Sequence, residues 1–287
     1  MKKTAYLRQL ISQPEMLVAP GAYDGITARL TEQAGFPAVY MTGAGTSMAR
    51  GFPDFGLLSM SEMVDNAAVM ARTVAIPVIS DADTGYGNEL NVTRTVREFE
   101  ARGVAGIHIE DQVSPKRCGH LDGKEIIAQN EFISKIRAAV AARRDPDFLI
   151  IARTDSRAVA GFDEAVSRAN AAMAAGADVA FVEAVQSTEE LALVPKRVNG
   201  PCLLNVVPGG KTPRVNMQDA QALGYRIAIL PGLLLTAVMV AADQALRAVK
   251  ETGVPVSGAK GASVLDTFRR FGADEWNELR QRFAVQD

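Results

Sequence analysis

Gly106-Ile107-His108-Ile109-Glu110-Asp111 is a short β-branched, apolar run that ends in two acids. Strands buried on both faces read as near-continuous apolar runs. A polar ending on such a strand places reactive groups at its carboxyl end. Seven further runs share the pattern, at residues 16–19, 38–42, 77–81, 148–153, 179–183, 202–207 and 226–231. Segments rich in Ala, Leu, Glu and Arg at helical spacing lie between them, as at residues 91–102 and 164–175. Gly35, Gly103, Gly176 and Gly224 each stand shortly before a strand, where a helix commonly closes on a left-handed residue.

Eight such units predict a (β/α)8 TIM barrel over residues 1–252, in preference to a doubly wound open sheet. The strands finish in Tyr40 and Thr42, Asp81 and Asp83, His108 and Glu110, Arg153, Glu183 and Asn205. A barrel gathers all of these on one rim, whereas an open sheet spreads them along an edge. A long apolar helix at residues 234–249 and a linker at 253–258 lead into a C-terminal helical extension, residues 253–287, carrying Phe268, Phe271, Trp276, Leu279 and Phe283. This extension is too short for a core of its own. It is expected to pack on its own barrel or on a neighbouring subunit, which predicts a homo-oligomer, a tetramer built as a dimer of dimers.

The chain has 287 residues, 48% hydrophobic and 22% charged, with a formal net charge of −2. That balance argues against a nucleic-acid binder or a partner of anionic membranes. No run approaches the ~20 apolar residues of a membrane span, and no apolar core of signal-peptide length follows Lys2-Lys3. Two cysteines, Cys118 and Cys202, are too few for a disulfide framework, so a cytoplasmic protein with reduced thiols is expected.

Lys116-Arg117-Cys118-Gly119-His120 holds one of the two cysteines and one of the two histidines in a polar stretch. Nearby cations and flexible glycine suit a working thiol. Cys202, at the start of an apolar strand, reads as core packing. Asp81-Ala82-Asp83 puts two carboxylates on one face of a strand end, and Glu110 and Asp54 bring the rim to four acids. Uncompensated, they repel one another, and a divalent cation resolves the repulsion. Oxygen ligands suit Mg²⁺ or Mn²⁺ better than Zn²⁺. A plainer role for Asp81 and Asp83 is to cap the next helix or to pair with Arg153. Arg153 itself fits either a clamp on a substrate carboxylate or a structural pair with Asp155 or Glu183. Residues 40–46 form a small-residue turn whose amides can cradle a carboxylate or phosphate. It matches no dinucleotide fingerprint or P-loop. His108, taken alone, reads as a satisfied core residue.

Together the Lys116–His120 run, Asp81-Ala82-Asp83, His108-Ile109-Glu110-Asp111-Gln112 and Arg153-Thr154-Asp155 resemble the isocitrate lyase and phosphoenolpyruvate mutase superfamily, over residues 20–231. The resemblance implies an Mg²⁺-dependent enzyme acting on a small polycarboxylate. It implies that Asp81 and Asp83 hold the metal, with Asp54 and Glu110 in its outer shell. Thr42, Gly43 and Ala44 would bind one substrate carboxylate, and Arg153, Glu183, Asn205, Gly119 and His120 would line the rest. Cys118 would sit on a closing loop as the proton donor, Tyr40 would be the base, with a metal-associated water as alternative, and Arg153, Glu110 and His108 would join them as catalytic residues. The reaction implied is carbon–carbon cleavage of a 2-hydroxy di- or tricarboxylate to a 2-oxo acid and a carboxylate. Oxaloacetate hydrolysis, phosphonate rearrangement and a non-catalytic binding barrel are the rivals. Two departures bear on substrate. The 2-methylisocitrate lyases carry an arginine just past the eighth strand, where residues 233–237 here are Leu-Leu-Leu-Thr-Ala, and the serine expected near Pro231 for an oxaloacetate hydrolase is absent. The apolar edge points to a substrate with an alkyl substituent or only two carboxylates, with 2-methylisocitrate and 2-alkylmalates as first candidates.

Overall fold

A computed structural model describes residues 1–255 and 263–284. The eight strands are β1 (Leu17–Ala22), β2 (Val39–Met41), β3 (Val78–Asp81), β4 (Gly106–Glu110), β5 (Leu149–Thr154), β6 (Val179–Val182), β7 (Cys202–Asn205) and β8 (Ile227–Leu230). All pair in parallel in sequence order, and β8 returns to β1 to close the barrel. Every strand expected from sequence is present. β1 runs further than its composition suggested: beyond Ala19 the residues are not β-branched, but Gly21 pairs with Tyr40 and Ala22 with Met41. A Cβ at Gly21 would collide with the backbone of Pro231, so the ends of β1 and β8 meet at a glycine-wide gap.

Helices fill the intervals. The stretches expected at 91–102 and 164–175 are Glu89–Ala101 and Phe162–Ala174. Asn88 opens the first of these, its side chain accepting from the Leu90 and Asn91 amides. The cap is therefore supplied by Asn88, and Asp81 and Asp83 do not cap this helix. Gly224, at φ 104°, closes the helix Met217–Leu223 in the left-handed region.

Side chains alternate across each strand. Leu17, Ala19, Tyr40, Ile79, Leu149, Ile151, Val179, Phe181, Leu203, Ile227 and Ile229 form the packed interior of the barrel. Continuing the same alternation toward the carboxyl ends brings Asp81, His108, Glu110, Arg153, Glu183 and Asn205 to the inner face. The register confirms their level, with Asp81 opposite His108 and Glu110 opposite Arg153. The apolar lower layers thus give way to a charged upper layer.

The chain divides into two units, residues 1–236 and 237–287, with the division inside the helix Leu233–Thr252. The second unit contains the remainder of that helix and the helices Val264–Arg269 and Ala273–Phe283, with Phe268, Trp276 and Phe283 exposed. Of the linker expected at 253–258, residues 256–258 lie outside the described residues. Among the described residues no helix is long and apolar enough to cross a membrane.

Candidate active site

Arg153 is the centre of the charged layer. Its Nε and Nη2 donate to Asp155 Oδ2 and Oδ1 at 2.9 and 3.1 Å. Nη1 lies 3.2 Å from Glu110 Oε2, Nη2 lies 3.9 Å from Glu183 Oε1, and the guanidinium stands over the Phe181 ring. The fork that sequence offered to either a substrate or an acid of the chain is taken up by Asp155. Asp155 is itself fixed, since its amide donates to Asp111 Oδ1 at 2.8 Å, and Asp111 also accepts from Thr154 Oγ1 and Arg168 Nη1.

Glu183 lies at the end of β6, two residues beyond Phe181 on the inner face. Asn205 Nδ2 donates to both its oxygens, at 3.1 and 3.2 Å, and His120 Nε2 is 3.1 Å from Oε1. Burial pushes the Glu183 carboxyl up, but Arg153, His120 and Asn205 outweigh it and hold the group down at about 2. The Lys211 amide donates to His120 Nδ1 at 3.0 Å, so Nε2 carries the ring proton toward Glu183. Gly119 sits directly over this pair, and a Cβ there would land on the Glu183 carboxylate and the Arg153 guanidinium. Asn205 Oδ1 is buried with no hydrogen-bond partner among the described residues.

The acid group is less bare than sequence suggested. Lys116 Nζ lies 2.5 Å from Asp54 Oδ1 and 3.1 Å from Asp83 Oδ1, and its side chain is almost wholly buried. Lys116 was part of the quoted basic run but had been given no role, because sequence does not show that the loop folds back over the rim. Tyr86 was missed for the same reason. Its hydroxyl is buried without a hydrogen-bond partner among the described residues, its pKa raised by burial and by Asp83 and Asp81. Burial, with Asp81 and Asp54 nearby, raises Asp83 to about 6 against the opposing pull of Lys116. The Asp83 amide donates to Asp81 Oδ1 at 2.9 Å. Glu110 is pushed well up, chiefly by burial, and among the described residues neither of its oxygens has an aligned hydrogen-bond donor despite the nearby Arg153.

Among the described residues no three His, Cys, Asp or Glu side chains converge as a cage for a metal. What the site offers is a buried carboxylate pair, with Asp83 Oδ1 lacking an aligned hydrogen bond. That donor set fits Mg²⁺, which keeps several waters and binds through one or two carboxylates.

Tyr40 Oη lies 2.8 Å from His108 Nε2, and burial lowers His108 to about 4, so the imidazole is neutral. Burial holds Tyr40 in the phenol form, and Arg153 and Lys116 work against that. Thr42 caps the helix Gly43–Ala49, its hydroxyl accepting from the Gly45 amide at 3.3 Å. The first amides of that helix, at Gly43 and Ala44, have no intrahelical acceptor. A Cβ at Gly43 would strike the Asp81 carboxylate. Cys118 is partly buried and its pKa is raised, first by that burial, so it is a neutral thiol. Cys202 is buried in an apolar cluster, as expected.

A recess of about 140 Å³ joins these parts. Tyr40, Asp81, Cys118, His120, Arg153 and Asn205 contribute its polar wall, and Val207, Pro231, Gly232 and Leu235 its apolar one. Thr42, Ala44, Gly119, Glu183 and Asp54 also line it, while Gly43, Asp83, His108 and Glu110 do not.

The phosphoenolpyruvate phosphomutase family model matches residues 7–250. The chain is 45% identical to 2,3-dimethylmalate lyase of Eubacterium barkeri, across 97% of this chain and 94% of that protein. It is 46% identical to 2-methylisocitrate lyase of Aeropyrum pernix, across 86% and 80%. Oxaloacetate acetylhydrolase in complex with the inhibitor 3,3-difluorooxalacetate superposes with a TM-score of 0.95 at 37% identity, covering 99% of this chain and 98% of that one. Phosphonopyruvate hydrolase in complex with oxalate and Mg²⁺ gives 0.89 at 31% identity, covering 99% and 100%.

Proposed function

The chain belongs to the phosphoenolpyruvate phosphomutase family, and from that membership we propose that it is an Mg²⁺-dependent carbon–carbon lyase cleaving a 2-hydroxy di- or tricarboxylate, with 2-alkylmalates and 2-methylisocitrate as first candidates. The observation that carries the reading is the neutral Cys118 thiol lining the same recess as Asp81, Arg153 and Asn205. A protonated thiol is a proton donor, which is what the leaving carbon of a cleavage needs.

Asp81 and Asp83 would hold the metal, with Asp54 and Glu110 farther out. When bound, Mg²⁺ supplies positive charge where negative charge develops on the substrate oxygens. One substrate carboxylate meets the Gly43 and Ala44 amides and the Thr42 segment. The face of Arg153 not engaged by Asp155 meets another, oriented by Glu183, with His120 and Asn205 completing the wall. Tyr40 takes the proton of the substrate hydroxyl and relays its own to His108 Nε2, 2.8 Å away. The hydroxyl-bearing carbon becomes the carbonyl of the 2-oxo acid. The carbon–carbon bond breaks, its electron pair passes to the leaving fragment, and Cys118 protonates that carbon, releasing a carboxylate. Val207, Pro231 and Leu235 form an apolar wall suited to an alkyl substituent, which favours the alkylmalates. The exposed Phe268, Trp276 and Phe283 support assembly with further copies, and we place the protein as a homotetramer.

The likeness to oxaloacetate acetylhydrolase favours hydrolysis of oxaloacetate as the second reading. A panel of malate, alkylmalate, citrate and isocitrate analogues, with oxaloacetate, separates the two when pyruvate, glyoxylate and oxalate are detected individually with Mg²⁺ present. Pyruvate from an alkylmalate or from 2-methylisocitrate is expected. Oxalate from oxaloacetate alone would replace the lyase by the hydrolase.

A further inference from the structure

A second recess, of about 450 Å³, lies outside the barrel mouth between the first turns of the helices Glu89–Ala101 and Gln129–Ala142. None of the residues assigned to the reaction lines it. Lys135 does, from the inward face of its helix, where it lies between Phe132 and Ile136 and is 6% exposed. Among the described residues no acid lies within ion-pair distance of its ammonium, and no acceptor hydrogen-bonds it. Burial lowers its pKa, with Glu110, Asp111 and Glu131 opposing from beyond ion-pair distance. The stem of Lys135 is buried while its ammonium faces the recess, where an anion would give it a partner.

A second group points the same way. The helix Gln129–Ala142 begins at Ala128, which has no side-chain oxygen with which to cap it. Asn130 Oδ1 accepts from the neighbouring Glu131 amide at 3.0 Å, leaving the Gln129 and Asn130 amides without a capping acceptor. These amides carry the positive end of a helix of 14 residues. Ser134 adds a hydroxyl to the wall. Toward solvent the charge reverses, for Glu89 and Glu131 line the outer part and are exposed. The inner end favours a carboxylate, and the outer end repels a second one and attracts a cation.

We propose that this recess binds a small amino-acid zwitterion, its carboxylate against Lys135 and the first turn of the helix Gln129–Ala142, its ammonium between Glu89 and Glu131. The placement does not depend on which reaction the barrel performs. Its walls at Gly87 and Ile127 belong to the turn that follows Asp81 and Asp83 and to the end of the loop that carries Cys118.

Calorimetric titration of the full chain with N,N-dimethylglycine, a zwitterion with no acylatable amine, tests the proposal, with malonate as the dianion control. Saturable binding of dimethylglycine, weakened at least about tenfold in Lys135→Met, is expected. Absence of binding to the native chain overturns the proposal, as does unchanged binding by a folded Lys135→Met. Tighter binding of malonate than of dimethylglycine, lost with Lys135, overturns the zwitterion assignment. Should Lys135→Met fail to fold, acetylation of the native chain read peptide by peptide localises the ligand. Protection of Lys135 but not Lys3 by dimethylglycine supports the site, and equal labelling of Lys135 with and without it overturns it.

Discussion

His120 Nε2 lies 3.1 Å from Glu183 Oε1, with its proton fixed on that nitrogen by the Lys211 amide at Nδ1. A loop residue is thereby tied to the end of β6, across the recess that Cys118 lines. His120→Gln shortens and weakens this tie. A hydrogen bond to a charged group contributes roughly 1.5–3 kcal/mol, so kcat/KM for the cleaved substrate is expected to fall about ten- to a hundredfold. Steady-state kinetics on the substrate found by screening checks it, and an unchanged kcat/KM would detach His120 from the closed loop.

Cys118→Ser replaces the proposed acid by a much weaker one of similar size. Cleavage is expected to fall about a hundred- to ten-thousandfold, with the thermal unfolding midpoint and Mn²⁺ binding unaltered. Turnover close to the native rate would take the acid role from Cys118.

The same thiol should resist alkylation at neutral pH. Its pKa is raised above the ordinary thiol value, chiefly by burial, and only the thiolate is nucleophilic. The rate of Cys118 modification by iodoacetamide is therefore expected to climb about tenfold per pH unit from pH 7 to beyond pH 9. A plateau below pH 8, seen by peptide mass spectrometry, would contradict a protonated donor.

Asp83→Asn removes one of the two carboxylates proposed to hold the metal. Mn²⁺ affinity, followed by electron paramagnetic resonance without substrate, is expected to drop about ten- to a hundredfold. Equal affinity would move the metal away from Asp81 and Asp83.

Glu183 contributes stability that depends on pH in a defined direction. Its folded value of about 2 lies below an unfolded carboxyl near ~4.3. The stabilisation, roughly 3 kcal/mol as an order of magnitude, is present in full above the unfolded value and is lost as pH falls toward 2. Urea unfolding should show the native chain's advantage over Glu183→Gln shrinking as pH falls from about 5 toward about 2. A difference that stays constant over that interval would mean Glu183 is not held ionised by Arg153, His120 and Asn205.

The barrel was legible because parallel strands are buried on both faces, so runs such as Ile150-Ile151-Ala152 stand out from the helical stretches around them. The ends of β1 were less so, since Pro20, Gly21 and Ala22 carry no β-branched signal and are held by pairing with β2 and β8. Asp81, Arg153 and Glu183 could be read as a group because strand ends meet in a barrel. Lys116 could not be assigned, because a loop's path over the rim follows from tertiary contacts with Asp54 and Asp83 rather than from periodicity. The contact of Asp111 with Arg168 could not be read for a related reason. Their pairing spans 57 positions and carries its effect through the Asp155 amide to Arg153.

Gly119 leaves a single hydrogen atom between the loop backbone and the Arg153 and Glu183 side chains. The clearance acts as a gauge. Any residue larger than glycine here would have to displace the loop or the Glu183 and Arg153 side chains beneath it. Cys118, the residue before Gly119, is thereby held close over the Arg153 and Glu183 side chains. What one missing methyl group sets is how near the proposed proton donor can lie to the buried ions.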